Sequence, residues 1–211
     1  MSSRRAFAEN LVFSALSAAS NGLAFLLFMA AAAWLTTDEM GVLGTAFSFA
    51  AIGEPLMDFG LHQASIRHIA LNRASAGPVL GASIPMKAAS GLVMFLGLSG
   101  IALAWYPEAA TASILMLGSA IVRSYLLTIR GVLQGLEHFR HDAAVMFADR
   151  AFMLAGGLVA LWLGTGVQGL ALSFVITRVL ALVIAFSLTR RHVQSVAMNF
   201  DTAFWRDLRD A

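Results

Sequence analysis

The chain has 211 residues, 59% of them hydrophobic and only 12% charged, with a formal net charge of +2. Soluble domains carry about twice that share of charge, and the mean hydropathy of +0.77 points to lipid as the solvent. Cysteine is absent, which excludes disulfide frameworks and thiolate metal sites. No basic patch of the nucleic-acid-binding kind is visible.

Apolar stretches long enough to cross a bilayer, about 20 residues each, fall in chain order at 10–35, 41–60, 79–105, 110–134, 143–163 and 167–189. The fold class predicted is all-α, a polytopic bundle of six transmembrane helices. Arg4 and Arg5 precede the first stretch in the manner of a signal peptide, but its apolar run exceeds the roughly 7 to 15 residues of such a segment, so it is read as a retained helix. Asn10, Ser14, Ser17 and Asn21 recur on one face of that helix. Such a stripe lines a wet cavity or hydrogen-bonds to a neighbouring helix.

In the second stretch Glu54 and Asp58 stand one turn apart, with Pro55 between them, and Pro55 removes a backbone donor and favours a kink. Glu54 lies some 20 Å in from Gly41 at 1.5 Å per residue. Two roles are open to it, an ion pair with an Arg of another helix or a coupling carboxylate. Asp58 is nearer the interface. Lys87 in the third stretch and the Asp149–Arg150 neighbours in the fifth sit close enough to their ends to snorkel or pair locally.

The fourth stretch sets Ser119, Arg123, Arg130 and Gln134 on one face. Arg130 reaches the interface, whereas Arg123, like Arg178 near the middle of the sixth stretch, has to face protein or water. Gly131 and Gly135 permit close helix approach. Lys87, Arg123, Arg130, Arg150 and Arg178 outnumber Glu54, Asp58 and Asp149 by two. An anionic guest would neutralise that excess, and guanidinium forks match phosphate oxygens.

Arginines flank alternate connections: Arg4 and Arg5, Arg67 and Arg73, Arg140, then Arg190 and Arg191, while the connections at 36–40, 106–108 and 164–166 have none. The positive-inside rule therefore predicts both termini in the cytoplasm. Trp34, Trp105 and Trp162 fall at the opposite ends, where an aromatic belt belongs. Residues 1–192 read as a six-helix lobe. Residues 193–211, with Phe200, Phe204, Trp205, Arg206 and Arg209, read as an amphipathic cytoplasmic tail or a linker.

No Walker loop, HExxH motif or nucleophile elbow occurs, so neither enzyme activity nor a cofactor is expected. His138 and His141 beside Glu137 and Asp142 have only a loose metal-binding spacing and read, like His62 and His68, as solvated interfacial residues.

The segment Glu54-Pro55-Leu56-Met57-Asp58-Phe59-Gly60-Leu61, with Ser65-Ile66-Arg67-His68-Ile69-Ala70 after it, resembles the Asp-Phe-Gly-Leu and Arg-x-Ile-Ala stretch of Wzx-type polysaccharide flippases. Arg130-Gly131-Val132-Leu133-Gln134-Gly135-Leu136-Glu137-His138-Phe139 is similar to the Leu-Gln-Gly end of their fourth helix. The resemblance implies the multidrug/oligosaccharidyl-lipid/polysaccharide exporter superfamily, in which two six-helix lobes rock about a central cavity. It implies a bacterial inner-membrane protein that moves undecaprenyl-diphosphate oligosaccharides for O-antigen or exopolysaccharide synthesis, the tail staying in lipid. On that reading Asn21, Ser17, Arg123 and Arg178 line the cavity, Glu54 tunes or pairs with the arginines, and this chain is an N-terminal lobe, a truncated half that needs a partner lobe, self-assembly or its missing C-terminal portion. The alternatives are a drug or cation antiporter, coupled through Glu54 or Asp58, and a non-transporting membrane subunit.

Overall fold

A computed structural model of the chain describes residues 3–190, with side chains from residue 14 onward. The described residues form seven helices and no strand: α1 (Ser3–Trp34), α2 (Thr37–Asp58), α3 (Leu61–Leu71), α4 (Ala76–Trp105), α5 (Ala110–Gly135), α6 (Phe139–Trp162) and α7 (Gly166–Thr189). A short 3-10 turn, Arg73–Ser75, separates α3 from α4. Six segments are long and apolar enough to cross a membrane, one of them running from α2 into α3. The all-α, six-span expectation holds. The tail at 193–211, with its amphipathic reading, and the side chain of Asn10 lie outside the described residues.

Local signals set the boundaries. α2 starts in a capping box, where the Thr36 hydroxyl accepts from the Glu39 amide at 3.3 Å and Glu39 Oε2 accepts from the Thr36 amide at 2.9 Å, satisfying two of the free donors of the first turn. α2 ends where Phe59 and Gly60 both take positive φ, 48° and 75°, a reversal for which glycine is suited. α3 was not foreseen as a separate helix. Its Leu61, Ser65 and Ile69 are buried at helical spacing, too short and too polar a pattern to register among spans of 20 residues.

α5 is the central helix, packing against α2, α3, α4 and α7, while α1 leans on α6 and α6 on α7. α3 lies close on α5. A Cβ added at Gly135 would stand 2.7 Å from Ile69 Cβ, and one at Gly131 3.0 Å from His62 Nδ1. The two glycines therefore serve local packing, as small residues do in membrane bundles.

The outer surface is apolar, with Leu92, Val93 and Leu96 of α4 and Ile176, Leu180 and Val183 of α7 exposed, as lipid contact requires. Trp34, Trp105 and Trp162 are exposed at one end of the bundle, termed the tryptophan end. The α1–α2, α4–α5 and α6–α7 connections meet there around shallow depressions lined by Asp38, Glu39, Glu108 and Gln168. Arg67, Arg73, Arg140 and Arg190 mark the opposite, basic end.

Two buried apolar clusters fill the interior. One gathers Leu27, Leu43, Phe49, Met116, Leu117 and Phe174 toward the tryptophan end. The other gathers Ile69, Val79, Leu126, Leu133, Val145 and Ala185 toward the basic end. On α5 the first stops at Ala120 and the second begins at Leu126, leaving a polar layer about 9 Å thick at the helical rise.

A candidate anion site in the mid-bundle polar layer

Five spanning helices contribute charged or hydroxyl side chains to this layer. α2 supplies Glu54 and Asp58, α4 Lys87 and Ser90, α5 Ser119, Arg123 and Ser124, α6 Asp149 and Arg150, and α7 Thr177 and Arg178. A charge in hydrocarbon costs at least a few kcal/mol, so each group has to find a partner or retain a purpose.

Toward the basic end the charges are paired. Lys87 is almost wholly buried, with Nζ 2.5 Å from Asp58 Oδ1 and 2.8 Å from the Ser124 carbonyl oxygen. It does not snorkel, because the acceptors are inside. Asp58 Oδ2 also accepts from the His62 amide at 3.2 Å, so one carboxylate ties α2, the start of α3 and α4 together. His62 is not simply solvated either; its Nδ1 lies 2.8 Å from the Leu127 carbonyl oxygen. That oxygen can only accept, so Nδ1 carries the proton.

Asp142 is completely buried, and Arg130 holds it through Nε at 2.6 Å and Nη2 at 3.2 Å. Gln134 Nε2 donates to it at 2.8 Å. This bidentate pair closes the α5–α6 hairpin. Asp142 belongs in the charge count, which lowers the interior cation excess from two to one. Further out, Arg73 and Glu137 form an exposed ion pair.

The middle of the layer is different. Arg123 Nε meets Glu54 Oε1 at 2.9 Å, each side chain about a quarter exposed, so Glu54 takes the ion-pair role of its two expected ones. Arg178 is 5% exposed and donates through Nη1 to Ser119 Oγ at 2.8 Å. Its Nε has no partner, nor have Asp149 Oδ1 and Ser124 Oγ. Among the described residues Arg150 has one hydrogen-bond partner, the Met153 sulfur at 3.9 Å, and successive helical positions point Asp149 and Arg150 about 100° apart. Among the described residues neither Arg150 nor Arg178 makes an ion pair.

Arg123, Arg150 and Arg178 nevertheless sense one another, and they sense Glu54 and Asp149. Three cations face two anions across α2, α5, α6 and α7, with buried hydrogen-bonding capacity unspent. The chemistry such a cluster offers is recognition of a multivalent oxyanion.

Of the residues expected to line a cavity, Arg123, Arg178 and Glu54 come together here. Ser17 is half-buried and Asn21 exposed on α1, and neither has a hydrogen bond to the arginines among the described residues. Ser14 is exposed on the same side, so the stripe lies on an open face of the lobe. Arg150 and Asp149, expected to snorkel or pair locally, join the cluster with no ion pair between them; their depth on α6 was the available signal.

Neither a curated protein nor a solved structure matches the chain. The family described as polysaccharide biosynthesis protein matches over residues 7–209, nearly the whole length, and its members are transporters rather than enzymes. The six membrane-crossing helices and buried charges suit a multi-pass transporter. The chain belongs to the polysaccharide biosynthesis protein family, that of the Wzx-type flippases and related exporters.

Proposed function

We propose that this six-helix unit is one lobe of a flippase that carries undecaprenyl-diphosphate-linked oligosaccharides from the cytoplasmic to the outer leaflet of a bacterial inner membrane, working against a second six-helix lobe. The observation that carries this reading is the surplus cation at mid-bundle. Among the described residues Arg150 and Arg178 are held without carboxylate partners, and Arg178 Nε is buried without an acceptor. A diphosphate brings the charge and the several acceptor oxygens that this arrangement lacks.

The basic end faces the cytoplasm, in keeping with the arginine distribution, and both termini lie on that side. The stripe of Ser14, Ser17 and Asn21 lines the wet cleft between lobes, where sugars are hydrogen-bonded. Residues 193–211 lead from this lobe toward its partner. A cation antiporter coupled through Glu54 or Asp58 would need one of them unpaired, and they are bound to Arg123 and Lys87.

The test is transport of a fluorescent undecaprenyl-diphosphate oligosaccharide in proteoliposomes containing the chain with a second lobe. Replacing Arg123 and Arg178 together by Gln should abolish translocation while the protein still folds. Unchanged translocation would overturn the assignment.

A further inference from the structure

A cavity of about 180 Å³ opens among α1, α2, α6 and α7, directly on the tryptophan side of the arginine cluster. Its walls are hydrocarbon, among them Leu27, Phe28, Phe47, Met153 and Phe174, and its one charged lining group is Arg150. Phe47 sits between Phe28 and Phe174, with ring centroids at 6.3 and 5.7 Å. Phe174 is one turn before Arg178 on α7, about 6 Å along the axis, and with Arg150 in its lining the slot adjoins the anion site.

An apolar slot that ends on an arginine with no ion pair among the described residues has the complementarity of an amphiphilic anion, charged at one end and hydrocarbon beyond. We propose that the slot binds the first segment of the substrate's isoprenoid chain, drawn out of the bilayer, while Arg150 grips the adjoining phosphate. This rests on the flippase reading and adds a lipid subsite within the lobe. The volume fits that limited role, because sites for whole drug-sized ligands run to about 300 to 1,000 Å³. The order along the helices fits as well. With the basic end in the cytoplasm, a lipid from the inner leaflet arrives head toward Arg150 and chain toward the tryptophan end.

The experiment uses farnesyl diphosphate carrying a diazirine on its first isoprene unit, irradiated with the protein in nanodiscs, and peptide mapping of the adducts. Adducts are expected on the α1, α2 and α7 walls, at Phe28, Phe47 or Phe174. Unlabelled farnesyl diphosphate should compete better than pyrophosphate or farnesol. Arg150→Gln should reduce labelling about tenfold, the loss of one charged hydrogen-bonding partner, and Arg150→Lys should restore part of it. Ala24→Phe, which fills the slot from a half-buried lining position, should abolish labelling without unfolding the protein.

Adducts confined to lipid-facing residues, or to the furrow of Leu80, Leu182 and Phe186 between α4 and α7, would overturn the slot. So would competition by farnesol as strong as by farnesyl diphosphate. Slot adducts in a protein that fails to translocate the oligosaccharide would overturn the flippase reading and leave the slot standing. Translocation with adducts elsewhere would overturn the slot alone.

Discussion

Removing the charge of Asp58 should expose how strongly this bundle depends on internal pairing. Lys87 is 2% exposed, and its ammonium group has two acceptors, Asp58 Oδ1 at 2.5 Å and the Ser124 carbonyl oxygen at 2.8 Å. Asp58→Asn keeps a side-chain oxygen for the His62 amide but leaves the buried cation without its counter-charge. Breaking a buried pair from one side costs about 3 to 5 kcal/mol, and the retained Ser124 contact places the expectation at the lower end, about 3 kcal/mol. That corresponds to a loss of roughly 150-fold in the folding equilibrium constant. Lys87→Met should cost less, because Asp58 is partly exposed and keeps the His62 amide. The double variant should recover most of the loss, since a buried ion pair replaced by packed neutral groups is often neutral in stability. Reversible unfolding in mixed micelles, followed for all four proteins, gives the coupling energy of the cycle. Additive single-variant losses, or an Asp58→Asn protein as stable as the parent, would refute this account of the α2–α4 junction.

Gly135→Ala should destabilise by about 1 to 3 kcal/mol through overpacking, because the new methyl would meet Ile69 Cβ at 2.7 Å and the Ile66 carbonyl oxygen at 3.1 Å; Gly100→Ala, with nothing within 4 Å, should be neutral or slightly stabilising, and thermal melts of the two separate the cases. Arg130→Lys keeps the charge but loses the fork that holds Asp142. It should cost about 1 to 3 kcal/mol, measured by the same unfolding assay. Arg178→Met should raise stability by removing a buried cation that lacks a carboxylate, and should lower translocation at least tenfold if that cation is kept for substrate.

The six spans were legible because lipid imposes a length and a composition that a single sequence displays directly. Their order of basic and tryptophan ends was legible too, since the connections at 36–40, 106–108 and 164–166 do gather at one end. α3 was not, because His62, Gln63, Arg67 and His68 dilute its apolar face below any spanning threshold. Charges at depth could be found by counting along helices, and Arg123, Arg178 and Glu54 are together for that reason. Which charge pairs with which depends on helix neighbours, and those are set by packing. Asp142 looked like a loop residue beside His141, yet the tight α5–α6 connection folds it back onto Arg130 and Gln134. Lys87 was open to snorkelling or pairing, and its partners on α2 and α5 are fixed only by the packing of those helices against α4. The slot beside Arg150 was invisible in the sequence, since its walls come from four helices and each wall residue reads as ordinary core.

The most direct test of the central claim is translocation of a fluorescent undecaprenyl-diphosphate oligosaccharide in proteoliposomes, comparing the parent protein with Arg178→Gln in the presence of the second lobe. The account predicts transport by the parent, and loss of transport in a variant that remains folded and at least as stable. Transport by Arg178→Gln at the parent's rate would contradict it, and the buried arginine would then be a structural charge with no part in carrying substrate.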